Sequence, residues 1–248
     1  MLLFLAFMSV CMLTPAQNGN LFEQGNALYN QGKYADAIDK YSAILNSGYH
    51  SAELYFNMGN ANYKLNNIAP SIYYYEKALL LQPNDKDIKN NLAYARNMTI
   101  DAIDVMPEVG FSKFINTITH TFSYDVWAIM AIFFVFLFVV LVLYYYFSYT
   151  SRRKRFAFTA SVLCLIFLGA TLALAFHRFN LDKANNPAII FAQESPIKTE
   201  PNLRSEEAFR LHEGTKVQII DTLNNWKKIK LSDGKIGWIS ADDIKLIR

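Results

Sequence analysis

The sequence has 248 residues, 52% of them hydrophobic and 18% charged, with 24 Lys+Arg against 21 Asp+Glu and a pI near 8.7. Two cysteines are too few for a disulfide scaffold, and a formal charge of +3 makes a polyanion-binding surface only if it is concentrated. It is concentrated: Arg152, Arg153, Lys154 and Arg155 are consecutive, and without them 20 cations face 21 anions.

The chain opens with "MLLFLAFMSVCMLTPAQ", apolar from Leu2 to Leu13, too short to span a bilayer, followed by the small-residue pattern Thr14-Pro15-Ala16. This predicts a signal peptide over residues 1–16, cleaved after Ala16. No Lys or Arg follows Met1, so the basic n-region is absent and an uncleaved anchor is the alternative. Cys11 raises a lipoprotein reading, against which Val10 is bulkier than lipoprotein peptidases usually accept. Cys11 would leave with the signal and Cys164 lies in an apolar run, which excludes a thiol pair and CxxC metal chemistry from the polar segments. His50, His120, His177 and His212 are scattered and suggest no metal cluster, so no cofactor is expected.

Residues 17–100 contain a repeat. Offset by 34 residues, "QGNALYNQGKYADAIDKYSAIL" (Gln24 to Leu45) aligns without a gap on "MGNANYKLNNIAPSIYYYEKAL" (Met58 to Leu79). Gly25 pairs with Gly59, Asn26 with Asn60, Ala27 with Ala61, Tyr29 with Tyr63, Ile38 with Ile72, Tyr41 with Tyr75 and Leu45 with Leu79. This period with these residue types is the signature of the tetratricopeptide repeat (TPR), a pair of antiparallel helices stacked into a solenoid. The predicted repeats are 18–51 and 52–85, Pro83 stops the second helix B, and "NDKDIKNNLAYARNM" supplies a capping helix over 86–98 with Leu92 and Ala95 inward. The exposed A-helix positions Asn26, Tyr29, Asn30, Asn57, Asn60, Lys64 and Asn91 would line a partner-binding groove. Asn26 and Asn57 match the two asparagines of the carboxylate-clamp TPR domains of co-chaperones, to which this segment is similar. Phe22, Asp87 and Asn91 stand where that clamp has cations, so an acidic C-terminal tail is a poor ligand. Amide pairs can still hold a peptide backbone; the alternative is that the asparagines are merely solvated.

Between repeat and apolar region, "MPEVGFSKFINTITHTF" spaces Phe111, Phe114, Ile115, Ile118 and Phe122 helically. An amphipathic helix over 107–123, lying flat at a membrane interface, is predicted; packing on the last TPR helix is the rival. Two uncharged runs follow, 126–147 and 156–176, of 22 and 21 residues. Each spans roughly 30 Å as a helix, the thickness of a bilayer's hydrocarbon core. Residues 148–155 then form the basic loop of a transmembrane hairpin, and Arg152, Arg153, Lys154 and Arg155 place it in the cytoplasm. Trp127 and Tyr144 to Tyr146 suit the two aromatic belts of the first span. A loop this short leaves no domain for nucleic-acid contact.

Residues 188–248 change character again. "GTKVQIIDTLNNWKKIKL", "SDGKIGWIS" and "ADDIKLI" read as short strands with Asn-Asn and Asp-Gly turns, a small all-β barrel. At about 60 residues its core is marginal, and buried aromatics are expected to supply much of it. The order "EGTKV", "NWKKI", "GWI" resembles the bacterial SH3 (SH3b) family, whose modules bind cell-wall peptides or protein ligands on an aromatic-lined groove. Trp226 and Trp238 would then be core or ligand-binding groove wall, with core the expected role. Ten Lys+Arg against nine Asp+Glu in this segment give no polyanion footprint.

The expected architecture is a multi-domain membrane protein: an all-α TPR solenoid, a two-helix transmembrane hairpin and a small all-β SH3-like barrel. This order resembles the BatE-like TPR–SH3 proteins of Bacteroides aerotolerance (Bat) operons, on the strength of "GNALYNQGKYADAIDKY", "NDKDIKNNLAYARN" and "LHEGTKV…W…GKIGWI". The resemblance implies work beside von Willebrand A-domain Bat proteins and a MoxR-type AAA+ ATPase in an envelope stress complex. With no catalytic constellation in the sequence, the expectation is a non-enzymatic inner-membrane scaffold, multi-pass, with both modules in the periplasm. The alternative is a peptidoglycan-binding sensor acting through the SH3b module. A helper subunit of a wall hydrolase is the weaker third reading.

Overall fold

The computed structural model describes residues 17–103 and 110–247. The signal peptide expected over 1–16, and residues 107–109 of the expected amphipathic helix, lie outside the described residues. The chain divides into two compact units, Met1–Val105 with Asn186–Arg248, and Met106–Asn185.

The first unit begins with five helices: α1 (17–30), α2 (Tyr34–Asn46), α3 (Ala52–Lys64), α4 (Ile68–Leu81) and α5 (Lys86–Arg96). Local chemistry sets their ends. Gly32 (φ +78°) and Asn66 (φ 62°), one repeat apart, occupy the left-handed position that closes each helix A–helix B turn. The Ser51 hydroxyl accepts from Leu54 N at 3.1 Å, and Asp85 Oδ1 from Asp87 N and Ile88 N at 2.9 and 3.0 Å. The two A-helix glycines explain the packing distance. A Cβ at Gly25 would lie 2.4 Å from the Tyr41 ring, and one at Gly59 2.6 Å from the Tyr75 ring. Each tyrosine, 1% exposed, therefore fills the space an absent side chain leaves.

The same unit ends in seven strands: β1 (Pro187–Ile190), β2 (Glu194–Lys198), β3 (Glu207–His212), β4 (Lys216–Leu223), β5 (Trp226–Lys230), β6 (Ile236–Ser240) and β7 (Ile244–Leu246). They form one antiparallel sheet in the order β3-β2-β6-β5-β4-β1-β7. The end strands β3 and β7 are not hydrogen-bonded to each other, so the expected closed barrel is not found. Within the sheet β2 and β6 share a single register pair, Lys198↔Trp238, and the β1–β7 end packs on helices.

That packing is the main departure from separate TPR and SH3 bodies. β1 is buried at all four residues, a strand covered on both faces. Ala188 and Ile190 point into the aliphatic sheet core with Ile197, Val217, Ile229 and Ile239. Ile189, with the opposite parity, joins Ile247 in a cluster with Ile72, Tyr75, Ile88, Leu92 and Ala95 of α4 and α5. Tyr73 and Phe191 meet edge to face at 5.6 Å. Thus the apolar surface at the end of the solenoid, which a further helix B would otherwise cover, is covered by the sheet.

In the second unit, α6 (Gly110–Thr121) precedes two long helices, α7 (Tyr124–Phe147) and α8 (Ser151–Ala184), both long and apolar enough to cross a membrane. Their outer faces show large apolar side chains, such as Ile129 and Phe136, 64% and 68% exposed. The helices meet along small or short residues of α8, Ala157, Ser161, Cys164, Thr171 and Ala175, all buried, with Cys164 Sγ donating to Phe134 O at 3.2 Å. Helix α8 is longer than the expected span at both ends. The four cations lie in its first turns rather than in a loop, because only Ser148, Tyr149 and Thr150 separate the helices. The polar stretch after His177 continues the helix to Ala184, with the Arg178–Asp182 pair at i,i+4 supporting it. Helix α6 packs within this unit: Trp127 Nε1 donates to Thr119 O at 3.2 Å, while Phe111 and Phe114 stay 77% and 58% exposed.

Candidate functional site: the asparagine–tyrosine ladder

The A helices α1, α3 and α5 place Asn26, Asn57, Asn60 and Asn91 on the TPR face. Within one rung, Tyr41 Oη donates to Asn26 Oδ1 at 2.8 Å and Asn57 Nδ2 to the same oxygen at 3.0 Å. One repeat on, Tyr75 Oη donates to Asn60 Oδ1 at 2.6 Å and Asn91 Nδ2 to it at 2.8 Å. The rung is therefore a three-residue unit, Asn–Tyr–Asn, repeated by the 34-residue period. Both lone pairs of each acceptor oxygen are used, so Asn26 and Asn60 have only their Nδ2 donors left to offer, whereas Asn57 and Asn91 offer Oδ1 acceptors. The asparagines are thus neither simply solvated nor simply ligand-binding: half of each amide is structural.

Burial pushes the Tyr41 phenol up to about 12, with Tyr29 adding to the effect and the Asn57 amide opposing it. Tyr75 is raised too, by burial first and then by Tyr29, against the hydrogen-bonding pull of Ser71 and Asn91. Both hydroxyls stay protonated donors at neutral pH, which keeps the rungs intact.

Of the residues expected in the groove, Tyr29, Asn60, Lys64 and Asn91 line one pocket of ≈ 230 Å³, together with Tyr63 and Tyr94. Asn26 and Asn57 form the neighbouring rung outside this pocket, and Asn30 is exposed at the end of α1. The repeat alignment already contained the ladder, since Asn26, Tyr41 and Asn57 map onto Asn60, Tyr75 and Asn91 at one offset. The pocket's Tyr94, 63% exposed, carried no comparable signal.

On the sheet, Trp226 and Trp238 are only half-buried and are not part of the core cluster, which corrects the expected core role. Alternation is the reason. In β6, Gly237 and Ile239 point inward, so Trp238 points outward; a Cβ at Gly237 would already be 2.4 Å from Ile197 Cγ2. In β5, Ile229 faces in, which turns Trp226 and Lys228 out. Lys228 Nζ lies 5.7 Å from the Trp238 ring centre, making a cation–aromatic surface. The core that the aromatics were expected to supply is instead aliphatic.

A third cluster joins helices to sheet. Asp101 Oδ2 accepts from His212 N at 2.7 Å and Thr215 Oγ1 at 2.6 Å, and its Oδ1 lies 2.8 Å from His212 Nδ1. Burial alone would raise this carboxyl, but the hydrogen bonds from Thr215 and His212 outweigh it and hold the group below its ordinary 3.8. Nearby, buried Glu76 of α4 takes Arg96 at 2.5 Å and Lys216 of β4 at 2.8 Å. Gly214, at φ +84°, sits where a Cβ would be 2.9 Å from Ile68 Cγ2 and Thr99 Cγ2. Gly214, Thr215 and Lys216 lie in the "EGTKV" stretch, but their helix-side partners Asp101 and Glu76 did not stand out, because nothing local marks a contact between positions more than 100 residues apart.

Residues 52–85 match the tetratricopeptide repeat family, and residues 196–245 match the family described as bacterial SH3 domain. No curated protein matches the chain. The protein therefore carries a TPR repeat and a bacterial SH3 domain, folded together into one unit and accompanied by two helices able to cross a membrane.

Proposed function

We propose that the protein is a non-enzymatic, membrane-anchored adaptor whose TPR groove holds an extended segment of a partner protein, while the SH3 sheet offers a second contact. The ladder carries this reading. It presents amide donors and acceptors at the spacing of one repeat, suited to a peptide main chain. Its phenols hold their protons far above neutral pH, which suits binding better than proton transfer.

The shared core supports a common side for helices and sheet. Ile189 and Ile247 pack among α4 and α5, so helices and sheet occupy the same compartment, and the chain between residues 103 and 187 crosses any membrane an even number of times. Helices α7 and α8 are long and apolar enough for two crossings. Arg152 to Arg155, in the first turns of α8 beside the turn, favour the cytoplasmic side, which puts the folded unit in the periplasm of an inner-membrane, multi-pass protein. The resemblance to BatE-like proteins supports partners of the von Willebrand A-domain Bat type, linked to a MoxR-type ATPase in an aerotolerance complex.

The test is partner recovery by crosslinking from native membranes. Tyr94→Ala, in the pocket but outside the rungs, should reduce recovery while leaving the fold intact. Undiminished recovery moves the contact away from the groove. Orientation is checked separately with Ser151→Cys in a background lacking Cys11 and Cys164: an impermeant thiol reagent added to intact spheroplasts should leave it unlabelled.

The outward, half-buried Trp226–Lys228–Trp238 face favours a second reading, a peptidoglycan-binding module that targets or senses the wall. The full chain in micelles should then sediment with purified sacculi, and Trp238→Ala should stop it. Failure of the unmodified chain to sediment removes this reading.

A further inference from the structure

The pocket beside the Asn60 rung has a composition of its own. At ≈ 230 Å³ it is below the roughly 300–1,000 Å³ of small-molecule sites and is sized for one side chain. Its polar lining is rich in donors, the Lys64 ammonium and the hydroxyls of Tyr29, Tyr63 and Tyr94, with the Asn91 Oδ1 as an acceptor beside them. Asn60 adds to this bias, because its Oδ1 is consumed by Tyr75 and Asn91 and only Nδ2 remains. Among the described residues, Lys64 makes no salt bridge to a carboxylate. Burial, and after it the neighbouring Tyr34, raises the Tyr29 phenol, so it too stays a donor.

We propose that this pocket receives the carboxylate of an internal Asp or Glu side chain, presented by an extended partner segment whose main chain runs along the asparagine ladder; the proposal rests on the groove reading above. An ionised carboxylate is an acceptor with two oxygens and about four lone-pair sites, which complements one ammonium and several phenols. A lysine side chain would face Lys64, and an aliphatic one would leave the donors unpaired. The alternating Nδ2 and Oδ1 groups of the rungs match a continuing main chain, which offers both N–H and C=O, better than a chain end. Tyr63 and Tyr94 also supply apolar ring surface on which the methylene groups of the acidic side chain can rest.

The experiment uses the full chain in detergent micelles and titration calorimetry with N-acetylated, C-amidated heptapeptides of alanine and serine, their central residue Glu, Gln or Lys. The Glu peptide should bind up to about fivefold more tightly than the Gln peptide, the upper range for a solvent-exposed ion pair, and the Lys peptide most weakly. Lys64→Gln should erase the Glu/Gln difference, whereas Lys33→Gln, removing an exposed cation before α2, should preserve it. Equal binding of Glu and Gln peptides, a preference that survives Lys64→Gln, or no binding by any of them overturns the proposal. So does a free-acid Gln peptide that outcompetes the amidated Glu peptide, which would assign the pocket to a chain end. If partner recovery falls in Tyr94→Ala while Glu and Gln bind equally, the groove reading stands and only the acidic specificity falls.

Discussion

Ile189 and Ile190 are adjacent in β1 and both 0% exposed, yet they belong to different clusters. Ile189→Ala therefore tests whether helices and sheet are one folding unit. The substitution removes three carbons, about 2.4 kcal/mol at about 0.8 kcal/mol per buried methylene, and the residual cavity brings the cost to about 3 kcal/mol. For a unit of this size, that lowers Tm by about 10 °C. It also speeds globally limited amide exchange by about a hundredfold. The assay is hydrogen exchange with mass spectrometry on the full chain in micelles, following peptides from α4, α5 and β4. All three should lose protection together. If β4 alone exchanges faster while α4 and α5 are unchanged, the sheet is merely leaning on an independent solenoid, and a common compartment for the two no longer follows.

Gly59→Ala should be more damaging than an ordinary helix Gly→Ala change, because its Cβ would meet the fully buried Tyr75 ring at 2.6 Å; a cost of about 2 kcal/mol is expected in thermal melts by circular dichroism. Tyr75→Phe should cost about 1 kcal/mol by removing one of the two donors to Asn60 Oδ1, without altering helix content. Asp101 makes a pH prediction. Its folded-state acidity is stronger than the unfolded 3.8, so its contribution is fully present above that value and is lost as pH falls below it. Asp101→Asn should lower stability at pH 7 and flatten the loss on acidification; an unchanged acid limb in denaturant titrations would refute the assignment.

What was legible in the sequence follows from what is local. Gly25, Gly59, Tyr41 and Tyr75 announce the TPR packing because the repeat writes the same contact twice. The two apolar helices are legible from length alone, but their ends are not: the cations of Arg152 to Arg155 read as a loop, although three residues suffice for the turn. The sheet's strands are visible from turns and alternation, while its openness is not, since closure depends on what else covers β1. One signal was present and unread. Pro187 to Ile190 is uniformly apolar rather than alternating, the pattern of a strand buried on both faces, and it pointed to a second partner for that strand. The tryptophans misled because their size suggests a core, whereas the parity of Gly237 and Ile239 decides their direction.

The shared core has a consequence for biosynthesis. The solenoid's last helix, α5, is complete by Arg96, but the strand that covers its apolar end starts only at Pro187 and the last strand, β7, ends at Leu246. At about 5–20 residues per second, translation leaves that end bare for roughly ten seconds or more. During that interval both long apolar helices emerge. On the proposed topology, a chain whose hairpin inserts the wrong way round leaves those strands on the other side of the bilayer from the solenoid, so faulty topology is marked by an uncovered α4–α5 end.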